Sequence, residues 1–185
     1  MAETFPHIDD RMAEFIGRQH MFFVATAPLS SEGHVNLSPK GLDSFAVLDE
    51  RTVAYLDLTG SGIETAAHVG ENGRIVIMFC AFEGPPKIVR LHGRAEIIEP
   101  GDAEFETLLA SFPPYEGVRS IVRVALERIS DSCGYGVPFY EHKGQRTQLT
   151  RWAGSKADEG LAAYRAEHNR RSIDGLPGLK SPGDA

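Results

Sequence analysis

Asn36, Ser38 and Lys40 fall at alternate positions after His34, with Val35 and Leu37 between them. In an extended chain this spacing puts the polar set on one face and the apolar pair on the other. Such a face is either a solvated outer surface or a surface that hydrogen-bonds a flat, anionic ligand. On the second reading Asn36 and Ser38 meet the ligand's ring and side chain. Lys40, at the strand's end before Gly41, then meets a phosphate as a point charge. A second polar group, Thr59, Ser61 and Thr65, spans a Gly/Ser turn that opens a helix. Ser61-Gly62-Ile63-Glu64 matches a capping box. A helix N-terminus also offers free N–H groups and a positive dipole end to an anion, although Glu64 competes for those donors.

Other chemistries find little support. None of the 7 histidines has H-x-H or H-E-x-x-H spacing, and the 2 cysteines, Cys80 and Cys133, form no C-x-x-C pair, so a metal site is not expected. No G-x-S-x-G nucleophile motif, G-x-G-x-x-G fingerprint or Walker pattern occurs. The net charge of −7 and the lack of a basic run argue against nucleic-acid binding. No apolar run reaches membrane-spanning length and the start lacks a signal-peptide pattern, so a cytoplasmic protein with reduced thiols is expected. Ser132-Cys133-Gly134-Tyr135-Gly136-Val137-Pro138 reads as a loop in which Tyr135 either stacks on a flat ring or simply packs.

These residues need a scaffold, and 185 residues suffice for one domain with a real core. Ile8, Met12, Phe15 and Ile16 recur at helical spacing, which predicts a helix over residues 8–18. Met21–Ala27 and the stretch through Ser38 read as a hairpin. Phe45–Leu48 is a short apolar piece. Thr52–Leu58, Arg74–Phe82, Ile88–Ile98 and Ser120–Ile129 read as further strands. Ser61–Val69 reads as a short helix, Asp102 can cap another, and Ser155 can cap a last helix ending near His168. The expectation is a mainly β protein: a small barrel of roughly six antiparallel strands with peripheral helices. One domain would cover residues 1–172, and the Gly- and Pro-containing tail 173–185 would be partly mobile.

The segments Ser38-Pro39-Lys40-Gly41, Ala54–Thr65, Glu71-Asn72-Gly73-Arg74, Met78–Pro86 and Ser132–Pro138 together resemble the pyridoxamine 5′-phosphate oxidase-like proteins. The resemblance spans nearly the whole chain. It implies an FMN-binding split β-barrel and a homodimer with cofactor sites at the subunit interface. It makes Lys40-Gly41 an FMN contact, with Thr59, Ser61 and Thr65 as further cofactor contacts. Ser132 stands where the oxidases carry a tryptophan, and Arg146 matches their later arginine. Val35 and Glu64-Thr65 stand where they carry an arginine and an Arg-Lys pair. The implied cofactor-binding set is therefore Asn36, Ser38, Lys40, Gly41, Thr59, Ser61, Thr65, Ser132 and Arg146, with less positive charge at the phosphate than in the oxidases. The implied activity is an FMN-dependent oxidoreductase of unassigned substrate, with the flavin carrying hydride transfer and with poor turnover of vitamin B6 substrates. No catalytic side chain stands out. The alternative is a binding module on the same barrel that holds flavin, a deazaflavin or haem without turnover, haem requiring an axial ligand such as histidine.

Overall fold

The computed structural model describes residues 3–180. Its strands are β1 (Glu3–Phe5), β2 (Phe22–Thr26), β3 (Asn36–Lys40), β4 (Phe45–Asp49), β5 (Thr52–Leu58), β6 (Arg74–Cys80), β7 (Ile88–Ile98) and β8 (Val118–Ser132). Its helices are α1 (Asp10–Gly17), α2 (Glu64–Asn72), α3 (Phe105–Leu109), α4 (Gln148–Gly154) and α5 (Ala157–His168). All pairings are antiparallel, in the order β3-β2-β6-β7-β8-β5-β4, with β1 added on β8. The mainly β architecture is thus the expected one, but with 8 strands. The apolar piece at Phe45 is a strand, and β1 pairs through Thr4 with Ser130. A three-residue strand whose partner lies so far along the chain carries no periodicity of its own.

The sheet wraps around its core. Phe45 of β4 meets Phe22 of β2 at 5.1 Å and Phe79 of β6 at 4.9 Å between ring centroids, across the interior. Val24, Ile77, Leu91, Val122 and Val124 fill the same space, and α1 closes it with Met12, Phe15 and Ile16. That helix starts as its sequence dictates, with the Asp9 carboxylate accepting from Met12 N at 2.8 Å. A second cluster packs Ala54, Leu56 and Ile121 beneath Phe105 and Phe112. β5 is therefore covered on both faces, and every residue from Val53 to Asp57 is buried. Among the described residues no backbone pairing joins β3 to β4, so the barrel is split at that seam.

Three caps differ from expectation. α2 begins at Glu64 rather than Ser61, and Ser61 caps nothing. The Glu64 carboxylate instead accepts from Ile63 N at 3.0 Å and Ile173 N at 3.3 Å. Asp102 bonds Glu99 N at 2.8 Å and does not cap α3. Ser155 ends α4, donating to Trp152 O at 2.8 Å, and a break follows before α5. A serine's hydroxyl can bond forward as an N-cap or backward to the preceding turn, and spacing alone does not decide between them. Residues 173–180 lie against the body. His34 N donates to Asp174 Oδ2 at 2.7 Å, Lys180 N to Glu99 Oε1 at 3.1 Å, and Ser172 N to Leu176 O at 2.9 Å. The rest of the tail, 181–185, lies outside the described residues.

Candidate functional site

At the seam lies a cleft of about 1430 Å³. One wall is the polar face of β3, with Asn36, Ser38, Lys40 and Gly41. Another is the turn after β5 and the start of α2, with Thr59, Gly60, Glu64 and Thr65. Phe15, Arg18 and His20 contribute from the end of α1 and the chain beyond it. The opposite rim is an extended strap, residues 140–146, which includes Arg146. The strap is tied down by Tyr140 N to Phe82 O (3.0 Å), His142 N to Glu83 Oε1 (3.0 Å) and Gln145 Nε2 to His20 O (3.2 Å). The His142 and His20 rings stack with centroids 3.7 Å apart. In a chain with net charge −7, this lining gathers Arg18, Lys40, Arg119, Lys143 and Arg146 against Glu64, Glu83 and Glu141. With Asp57 counted behind Lys40 and Arg119, the cleft keeps a small positive excess in an acidic chain.

Lys40 is held rather than free. Its Nζ lies 3.1 Å from Asp57 Oδ1, and Arg119 Nε bonds Asp57 Oδ2 at 2.7 Å. Burial alone would raise the Asp57 carboxyl's pKa. The opposing charges and hydrogen bonds of Lys40 and Arg119 win and hold it below the ordinary carboxylate range. Two cations on one carboxylate leave a net positive charge facing the cleft. Arg119 also bonds Gly60 O (3.0 Å), Gly62 O (2.7 Å) and Asn169 Oδ1 (2.9 Å), so it pins the turn that walls the cleft. Beside it, Tyr55 is fully buried and its hydroxyl has no hydrogen-bond partner among the described residues. Burial first, and the nearby Asp57 charge second, push that phenol's pKa well up, so it stays protonated.

The cleft brings together Asn36, Ser38, Lys40, Gly41, Thr59, Thr65 and Arg146. Ser61 instead faces a shallow depression beside His34, Leu37 and Ile173. Ser132 ends β8, accepts from Arg90 at 3.0 Å, and does not line the cleft. Thr59 contributes wall rather than hydroxyl, because Oγ1 donates to Gly117 O at 2.8 Å and accepts from Arg165 Nε at 3.0 Å. Both Asn36 amide hydrogens face threonine hydroxyls, Thr26 at 3.1 Å and Thr65 at 2.9 Å. Tyr135 is 81% exposed, with its ring in none of the aromatic pairs among the described residues. Asp57 and Arg119 escaped the sequence reading. Their trace was an acid within the apolar strand Thr52–Leu58 and an arginine opening the long strand β8.

A family model described as pyridoxamine 5′-phosphate oxidase matches residues 8–133, which run from the approach to α1 through β8. A curated relative in Aspergillus flavus, "pyridoxamine 5′-phosphate oxidase family protein ustO", is 37% identical over 94% of this chain and 76% of its own length. The chain belongs to the pyridoxamine 5′-phosphate oxidase family. Crystal structures agree on the fold. HupZ of group A Streptococcus, in a single-residue variant, is 26% identical with a TM-score of 0.53, over 68% of this chain and 99% of that one. A Lactobacillus delbrueckii protein shares the fold at 18% identity, with a TM-score of 0.52, over 69% of this chain and 98% of that one. The family match ends at residue 133, so the strap and helices α4 and α5 lie beyond it. The strap, with Leu149 of α4, completes the cleft's far rim in this member of the family.

Proposed function

We propose that the cleft binds FMN and that the protein is a flavin-dependent oxidoreductase, a cytoplasmic homodimer acting on a small molecule. The observation that carries this reading is the donor-rich, cationic wall in an otherwise acidic chain. The donor set suits the group. Lys40 has ammonium hydrogens beyond the one Asp57 takes, Arg146 brings a guanidinium, and Gly41 lines the cleft beside Lys40. A phosphate is best served by Lys40 and Arg146 rather than by the N-terminus of α2, where the Glu64 carboxylate already sits, accepting from Ile63 N and Ile173 N. FMN would supply hydride transfer, and this chain would bind it, orient it and limit its contact with water. With Val35 and Glu64-Thr65 in place of further basic residues, the site holds phosphate with modest charge, which supports weak turnover of vitamin B6 substrates.

The outer face of the edge strand β3 supports the dimer. Val35 is 74% exposed, Leu37 64% and Ile173 71%, an apolar patch that a second copy of the chain would cover. The direct test of the cofactor contact is Lys40→Ala. Losing a charge-assisted contact should weaken FMN by about 1–3 kcal/mol, or roughly five- to 150-fold. The change is read by quenching of flavin fluorescence. Asp57 keeps its buried Arg119 partner in this variant, which limits the loss of stability. An unchanged dissociation constant would remove Lys40 from the site.

A further inference from the structure

The polar strip of β3 is wired to a buried histidine. Ser38 Oγ donates to Asn36 Oδ1 at 3.0 Å, and Asn36 Nδ2 donates to Thr26 Oγ1 and Thr65 Oγ1 at 3.1 and 2.9 Å. Thr26 Oγ1 lies 2.9 Å from Nδ1 of His68 on α2. His68 is 0% exposed, and its Nε2 has no partner among the described residues. Burial, the largest influence, lowers this imidazole's pKa, so the ring is neutral and carries a single N–H. Thr26 Oγ1 accepts from Asn36; if its own hydrogen goes to His68 Nδ1, the ring proton sits on Nε2. At the cleft end, the Ser38 hydrogen is committed to Asn36, so only the oxygen's lone pairs remain for a ligand.

We infer that His68, acting through Thr26 and Asn36, is a positioning residue that fixes Ser38 as a hydrogen-bond acceptor, so that the cleft selects a heterocycle bringing an N–H to Ser38. The imide edge of a flavin carries such an N–H, and that choice of ligand rests on the flavin reading above. The wire itself does not. Its opposite setting is chemically available. With the Asn36 amide turned over, Nδ2 would donate to Ser38, Oδ1 would accept from Thr26, and Thr26 would accept from a protonated His68 Nδ1. Ser38 would then offer a donor and repel an N–H. In these two settings the buried ring's tautomer and the polarity of the cleft wall change together.

Two measurements on the full-length chain test this. Nitrogen-15 NMR of the ligand-free protein, with His68→Gln to assign the signals, reads the tautomer. Titration with FMN and with N3-methyl-FMN reads the polarity, because the methyl group deletes the imide N–H. The expected result is an Nε2-protonated His68, with N3-methyl-FMN binding about tenfold more weakly than FMN. That preference should vanish in Ser38→Ala and shrink in Thr26→Val, which keeps the side chain's shape but cuts the wire. A merely structural role for His68 would leave the ratio of the two affinities unmoved by Thr26→Val. An Nδ1-protonated ring, or equal affinity for both flavins in the unaltered protein, overturns the inference. If neither flavin binds, the flavin reading fails. The tautomer then decides the wire alone, with Nε2 protonation supporting it and Nδ1 protonation refuting it.

Discussion

Replacing Arg119 by methionine is expected to destabilise the protein by about 3–5 kcal/mol, the usual result of removing one partner from a buried ion pair. Asp57 is buried, and the variant would leave it with Lys40 as its one cation and a long contact from the Ser120 hydroxyl at 3.5 Å. The Gly62 carbonyl and the Asn169 amide oxygen would also lose their donor, and Gly60 O would keep only Asn169 Nδ2. The turn that walls the cleft would loosen with them. The sign of the acid response follows from the same geometry. The Asp57 carboxyl titrates near 3.8 when unfolded and lower when folded. Its stabilising contribution is therefore complete above the unfolded value and is lost as pH falls through the folded one. Without Arg119, burial is opposed only by Lys40, so the folded pKa rises and acid unfolding begins at higher pH. Urea titrations across an acid series read both effects, and Arg119→Met with Asp57→Asn should recover part of the loss. A loss below about 1 kcal/mol would mean the pair behaves like an exposed one, contrary to this account.

Gly93→Ala is expected to cost about 3 kcal/mol or more, from overpacking at a place that cannot give. β7 and β8 shift register between His92 and Gly93, and the bulge presses the glycine onto the opposite strand. A Cβ there would collide with the Ala125 carbonyl oxygen and lie 2.9 Å from Val124 Cγ1. Both belong to β8, which pairs with β1, β5 and β7 and so cannot retreat without unzipping several ladders. Gly70→Ala, within α2 and with nothing within 4 Å of the added carbon, is the control. It should be neutral or stabilising by about 0.5–1 kcal/mol. Equal thermal midpoints for the two variants would contradict the close approach at Gly93.

Much of the scaffold was legible in the sequence because single elements carried their own period. The spacing of Met12, Phe15 and Ile16 gives α1, and alternation around Leu91 gives β7. The β3 face was equally legible, since Asn36, Ser38 and Lys40 line the cleft as their spacing implies. What local pattern missed depends on distant partners. β1 exists because β8 runs past the end of β5 at Ala125 and leaves Ile129–Asp131 open on that edge. Asp57 looked like the polar end of a strand, and only Arg119, 62 residues on, makes it the hub of the site. Thr26 and His68 read as a strand end and a helix residue, and their link through Asn36 appears only when β2, β3 and α2 are assembled. Ser61 and Ser155 show the reverse failure. Each matched a local motif, and a longer-range bond at Glu64 or a backward bond to Trp152 prevailed.

The central claim is that a flavin occupies the cleft beside Lys40. The most direct measurement is mass spectrometry of the small molecule released from the purified, denatured protein, paired with an FMN titration of the stripped chain. The account predicts the mass of FMN, and saturation at equal molar amounts of flavin and chain. A deazaflavin or haem mass, or a stripped chain that leaves FMN fluorescence unchanged, would contradict it.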